Sequence, residues 1–330
     1  MKRSVKIIAA VAAAAVLALT ALTSCINIAN TYDHADMYSA GDVEVPGDIE
    51  ELDIDWSSGS VTVSRHDSDT VSVTETCKEK LDDEQKVHTW LEGKVLHIRY
   101  CKSGAVFTLN NAEKKLDIKL PKDLTLKKLG YDGTSGDSVF ENISADSFKI
   151  DISSGSADLI GCTSADFDLD ASSGDLSLDQ KGSSDRITAD VSSGSIKIKA
   201  ETAGDITTEC TSGSIDITVG TAKTVSADTS SGKINITADK ADSVTTDATS
   251  GNTELRLANM PANTKLEATS GDIELFIPEN SDFKCDVTAT SGDFDSDLSL
   301  SKNGDTYTAG AGTNSVTIDT TSGDVKIKKL

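Results

Sequence analysis

The sequence predicts an all-β fold: a single-chain β-solenoid of stacked 19–20-residue coils, each turning one corner at a Ser-Gly pair. Three observations predict it. Ser-Gly recurs down the C-terminal two-thirds of the chain, with glycines at 136, 155, 174, 194, 213, 232, 251, 271, 292 and 323. The gaps are 19, 19, 20, 19, 19, 19, 20, 21 and 31 residues. Aliphatic and polar residues alternate on both sides of each pair, the period of a half-buried strand, and no 3.6-residue period is sustained after residue 131. Aromatics are only 4% of the 330 residues, so the core must come from stacked small aliphatics rather than ring bulk.

The first element is an export signal. Lys2, Arg3 and Lys6 precede an apolar run from Ile7 to Leu22, short for a membrane span and suited to the hydrophobic region of a signal peptide. The run ends in Leu22-Thr23-Ser24-Cys25, which resembles the bacterial lipobox. That resemblance implies cleavage before Cys25, a diacylglyceryl group on it, and a mature chain tethered outside the cytoplasm. An ordinary secretory signal with an incidental cysteine is the alternative. Residues 1–24 thus read as signal peptide and 25–46, polar and without sustained period, as a tether.

Residues 47–130 read as disrupted N-terminal coils. Asp53 to Val63 has the strand–corner–strand form around Gly59, 77 residues before Gly136, close to four periods. An irregular block, 77–115, holds a hairpin around Glu92-Gly93, and alternation returns at Leu116 to Pro121. This block suits a cap.

Residues 131–330 are the regular repeat. With the glycine as zero, position −7 carries Phe148, Phe167, Ile187, Ile206, Val225 and Val244. Position +4 carries Leu159, Leu178, Ile198, Ile217, Ile236, Leu255 and Leu275. Short strands with frequent turns also suit a sandwich, but a fixed period lets equivalent residues stack coil on coil and favours the solenoid. Nine or ten coils make a rod about 45 Å long. A longer loop, 301–313, fills the 31-residue gap.

Segments such as Thr269-Ser270-Gly271-Asp272-Ile273-Glu274-Leu275, with Leu116 to Pro121 and Val316 to Val325, resemble the bacterial putative-adhesin family of β-strand-repeat domains. The likeness covers about residues 47–330. It implies the same repeat fold in an exported or membrane-attached protein, and it carries no catalytic residue across.

Position −4 is almost uniformly acidic: Asp55, Asp132, Asp151, Asp170, Asp190, Glu209, Asp228, Asp247, Glu267 and Asp319, with Thr288 the exception. The alternation points this column outward. Like charges about 5 Å apart repel by about 1 kcal/mol in water, so the column is either a solvated surface that discourages sheet aggregation or a ladder for cations such as calcium. Asp151, Asp170, Asp190, Glu209, Asp228, Asp247 and Glu267 are its regular run. Asp175, Asp272, Asp293 and Asp324, each following a corner glycine, add carboxylates nearby or cap the turns.

No nucleophile elbow, Walker loop, Cys-x-x-Cys or His-Glu-x-x-His occurs. His88 and His97 flank the Glu92-Gly93 turn, the placing of a two-ligand metal site or of a chance pair. Cys77 and Cys101 bracket the inserted block and are candidates for a disulfide, while Cys210 and Cys285 fall at inward positions. A net charge of −23 argues against binding nucleic acid. The sequence therefore reads as a lipid-anchored binding, adhesion or scaffolding module without catalytic activity. Its expected partners are the membrane, a cell-wall polymer, an envelope protein or another copy. A sensory accessory of a membrane partner and a glycan-active enzyme are the rival readings.

Overall fold

The structure, a computed structural model, describes residues 31–105 and 114–330. It is a β-solenoid of parallel, in-register strands. Phe148 lies over Phe167, and Ile187, Ile206, Val225 and Val244 form one column through four coils. Side chains at −7, −5, +2 and +4 point inward as the alternation requires; Phe167, Ile187, Ile206, Ile215 and Ile234 are wholly buried. Stacking like on like lets the few rings meet face to face, as Phe148 and Phe167 do at 5.1 Å. Among the described residues the one helical turn is the 3-10 segment Ala35–Met37.

The corners explain the repeat's glycines. Each has a positive φ, +143° at Gly213 for example, and a Cβ built there would fall 1.6 Å from Gly194 O in the coil before. The carbonyl-to-glycine approach recurs along one line: Lys114, Gly59, Gly136, Gly155, Gly174, Gly194, Gly213, Gly232, Gly251, Gly271, Gly323 and Gly292. The line also counts twelve coils, a stack of roughly 50 Å at the spacing of paired strands. Each corner is tied to the next by backbone bonds, such as Gly213 N–H to Ser231 O at 2.9 Å.

Both ends are interleaved, which the sequence does not foretell. At the C-terminal end Asn263–Ser270 pairs with Asn314–Ser322, not with the next strand in sequence. Phe283–Ser291 then pairs on the far side of Asn314–Ser322. The chain overshoots, makes its outermost coil, and returns through residues 297–313 to lay its last coil inside it. Thr306–Ala309, part of the long loop, runs antiparallel along the outer edge of Phe283–Ser291. At the other end Val95–Arg99 and Lys115–Pro121 form the outermost coil, outside Glu51–Trp56 and Ser60–His66. Antiparallel strands His88–Glu92 and Thr70–Thr76 cover its edges. Antiparallel covers break the parallel template and leave less edge for another chain to pair with.

The segment read from sequence as tether is docked from Tyr32 onward. Ser39–Ala40 pairs with His88–Glu92, and Val43–Pro46 pairs with Thr70–Thr76. Cys77 and Cys101 are free thiols rather than a disulfide; Cys162, Cys210 and Cys285 are free and buried.

Several inward positions carry threonine in place of an aliphatic residue, Thr246, Thr253, Thr264 and Thr320 among them. Thr253 sits at +2 in a column of isoleucines, 1% exposed, with no hydrogen-bond partner for its hydroxyl. Valine keeps the shape and removes the unpaired polar group. Thr253→Val is expected to stabilise the protein by about 1 kcal/mol, read as a raised urea midpoint with unchanged slope.

Candidate functional site

The acidic column exists as a single outward line. The register aligns Asp55, Asp132, Asp151 and Asp170, then Asp190, Glu209, Asp228, Asp247, Glu267 and Asp319. Arg99 pairs with Asp55 at its head and Thr288 with Asp319 at its foot. Among the described residues only Glu267 of the seven regular members has a cation on it, Lys265 Nζ at 2.8 Å. Burial and then mutual repulsion push three of its members up, Asp132, Asp170 and Asp228. Asp228 lies above the usual range from partial burial, then Asp247 and Glu209. Asp170 does so from partial burial, then Asp168, Asp151 and Asp190. Asp132 behaves alike, with Asp151 the main neighbour.

An acid whose folded pKa exceeds its unfolded one binds more protons when native in the interval between the two. Its stabilising protonation is therefore gained as pH falls into that interval and lost as pH rises through the folded value. Asp228→Asn is expected to raise stability at pH 7 by roughly 1 kcal/mol, and the gain shrinks in high salt and toward pH 4. Thermal melts over pH and sodium chloride check this; an unchanged or lowered melting temperature for the variant contradicts it.

The column is a line of single carboxylates, one per coil, and among the described residues no three His, Cys, Asp or Glu side chains are gathered to hold a metal ion. The carboxylates after the corner glycines have another use. Asp175 Oδ1 accepts Ser195 N–H at 2.8 Å, Asp272 Oδ1 accepts Asp324 N–H at 2.9 Å, and Asp324 Oδ1 accepts Asp293 N–H at 3.1 Å. They cap the next coil's backbone. That bond to Asp293 holds the Asp324 carboxyl below its usual range.

The chemically mixed part of the surface is the N-terminal end. His97 faces Trp90 across the hairpin, ring centroids 5.3 Å apart, while His88 pairs with Arg99, so the two histidines do not face each other. His88 is buried with Nδ1 2.9 Å from Lys86 O. His97 Nδ1 lies 2.7 Å from Asp53 Oδ2, and Arg99 donates to Asp53 O at 3.1 Å and to its carboxylate. Burial works against the Asp53 charge, yet Arg99 and His97 hold its carboxyl below the usual range. Tyr32 and Tyr38, from the docked segment, lie over this cluster with Arg99 about 6 Å from each ring: 6.0 and 5.9 Å.

Inside the cap sits a pair that sequence reading missed. Lys114 is fully buried, and its Nζ meets Glu75 Oε1 at 2.6 Å, with Glu75 4% exposed. Nζ also donates to Gln85 O at 2.7 Å and to Tyr100 O. Burial lowers the Lys114 pKa while Glu75 pulls against it. The signal was present: Leu116 and Ile118 stand at +2 and +4 from Lys114, the offsets of Val61 and Val63 from Gly59, so Lys114 takes a corner position without glycine. Burial holds the four buried thiols, Cys101, Cys162, Cys210 and Cys285, in the protonated form. Burial pushes Cys162 up to about 11 and Cys285 up to about 12. Cys25 lies outside the described residues.

The model of a family described as Toastrack DUF4097 matches residues 49–260 and 181–328, most of the chain. The chain belongs to the Toastrack DUF4097 family. Its expected kinship with β-strand-repeat domains of unknown function is met by this match. No curated protein matches this Toastrack chain. Among solved structures it is similar to a "putative cell adhesion protein" from Clostridium sporogenes, at 11% identity and TM-score 0.21, covering 88% of this chain and 100% of that one. A "putative lipid binding protein" from Parabacteroides distasonis aligns at 15% identity and TM-score 0.36, covering 88% and 97%. A "putative adhesin" from Bacteroides fragilis aligns at 9% identity and TM-score 0.26, covering 88% and 96%. The Toastrack assignment rests on the sequence match, not on these overlays.

Proposed function

We propose that this chain is a lipid-anchored, extracytoplasmic β-solenoid that acts as a non-enzymatic binding or scaffolding module of the bacterial cell envelope. The observation that carries the binding role is a polar lattice repeated coil after coil. Thr188, Thr207, Ser226 and Thr245 stack beside Asp190, Glu209, Asp228 and Asp247, in unbroken register. Such a face offers equal, weak contacts at even spacing, the arrangement that gains from multivalency against a polymer or another rod. Its titratable groups are spread one per coil rather than converging on a point, as acid–base catalysis needs. The basic n-region, apolar run and Leu22-Thr23-Ser24-Cys25 support the anchor.

Two measurements test it. Cys25→Ala is expected to move the protein from the membrane fraction to the soluble fraction; a distribution unaffected by the change removes the anchor. Cosedimentation of residues 25–330 with isolated cell-wall polymer, or concentration-dependent self-association, is expected to weaken stepwise as Asp190, Asp228 and Asp247 are changed one after another to Asn. Turnover on a polysaccharide panel that the same changes abolish would replace the binding role with an enzymatic one. Exclusive co-purification with an integral membrane protein would favour a sensory role.

A further inference from the structure

The end of the rod where the docked N-terminal segment lies is also its most aromatic region. Tyr32, Tyr38 and Trp90 are half-buried there, with rings 4.6 Å apart for Tyr32–Tyr38 and 5.6 Å for Tyr38–Trp90. Met37 is 53% exposed beside them. Trp90 belongs to His88–Glu92, beyond the outermost coil, so this patch borders the end of the stack.

We infer that this patch is a membrane seat, resting in the headgroup layer of a zwitterionic bilayer so that the rod stands on its N-terminal cap. The inference rests on the reading of Cys25 as lipidated. Tyr32 is pinned to the cap: its hydroxyl donates to Cys101 O at 2.9 Å and its N–H to Ser103 Oγ at 3.1 Å. Cys25 is seven residues before Tyr32, a contour of at most about 25 Å, against a rod of roughly 50 Å. A lipid on Cys25 therefore holds this end, not the far one, at the bilayer. Tyrosine and tryptophan favour the water–membrane boundary, where the ring is covered and the polar atom stays wet. Exposed Asp33, His34 and Asp36 on the same segment set the depth at the headgroups rather than the acyl chains. The net charge of −23 selects zwitterionic over anionic lipid.

The chain has two tryptophans, Trp90 at the patch and Trp56 wholly buried. The test uses membrane-extracted protein, with its Cys25 mass measured, reconstituted into phosphatidylcholine vesicles that carry a headgroup spin label. In Trp56→Phe, which leaves Trp90 as emitter, the label is expected to quench the emission, because a tryptophan at the boundary sits at headgroup depth. In Trp90→Phe, which leaves Trp56, emission is expected to stay unchanged. Should Trp56→Phe misfold, subtracting the Trp90→Phe signal from that of the native protein gives the same quantity. Lipid-bearing protein whose Trp90 is unquenched overturns the seat alone. Absence of lipid on Cys25 overturns the anchor and the seat together.

Discussion

Gly213→Ala is expected to destabilise the solenoid by at least roughly 3 kcal/mol and to abolish its cooperative β-sheet melt. Two effects add. The φ of +143° is strained for any L side chain, and the new Cβ would fall 1.6 Å from Gly194 O. The obstacle is backbone, so no rotamer change relieves it; the coils must separate, breaking the ladder between Ile196–Ser212 and Ile215–Ser231. Each coil touches only its neighbours, so an interior break severs the rod into two halves with new ends. Gly182→Ala is the control. Gly182 also has positive φ, +73°, but a Cβ there meets nothing within 4 Å, so it costs only the backbone strain, about 1–2 kcal/mol. Gly292→Ala, in the outermost coil, is expected to fall between the two. Circular dichroism during urea titration ranks the three; equal loss at Gly182 and Gly213 would refute the stacking argument.

The second large effect lies at the cap. Lys114→Ala takes the cation from the Glu75 carboxylate, whose side chain is 4% exposed, and breaking a buried pair in this way costs roughly 3–5 kcal/mol. The ammonium also lies 4.0 Å from the Tyr100 ring centroid and 5.0 Å from that of Trp56, contacts that vanish with it. Because the damage is at an end, the cap opens before the rod. Trp56 packs edge-on against Tyr100 at 4.9 Å, so near-ultraviolet dichroism is expected to fade at lower temperature than the far-ultraviolet β-sheet signal. The double change Lys114→Met with Glu75→Leu is expected to restore most of the loss, since a well-packed apolar pair replaces a buried ion pair at little cost. A single variant as stable as the native protein would show that the pair carries no weight.

What the sequence disclosed follows from locality. The corner glycines, the inward columns and the outward acids are each set by spacing within one coil, and all lie where the period puts them. Partners set by distant segments were not disclosed. Nothing near Asn263–Ser270 says that Asn314–Ser322 rather than Phe283–Ser291 lies beside it. A trace of the outcome is visible, because the 292 coil alone places Thr288 at −4 and Ser296 at +4, the irregularity of an end. The docking of Tyr32 and Tyr38 depends on Arg99, more than 60 residues on, and their short polar stretch carries no period. Likewise His88 and His97 were open to facing each other until the hairpin register set His97 opposite Trp90. The glycine column extends to twelve coils rather than nine or ten because Lys114 and Gly59 join it from the irregular region.

The interleaving of the two ends bears on how such rods change length over evolution. A coil appended after Lys329 would continue from a coil already paired on both sides, and one added before Glu51 would meet the same obstacle. Growth by terminal addition is therefore closed. An interior coil sees only copies of itself above and below, so duplicating 19 residues such as 196–214 adds about 4.8 Å and disturbs neither cap. Relatives of different reach are expected to differ by whole coils in the middle, their interleaved termini kept as one inherited unit.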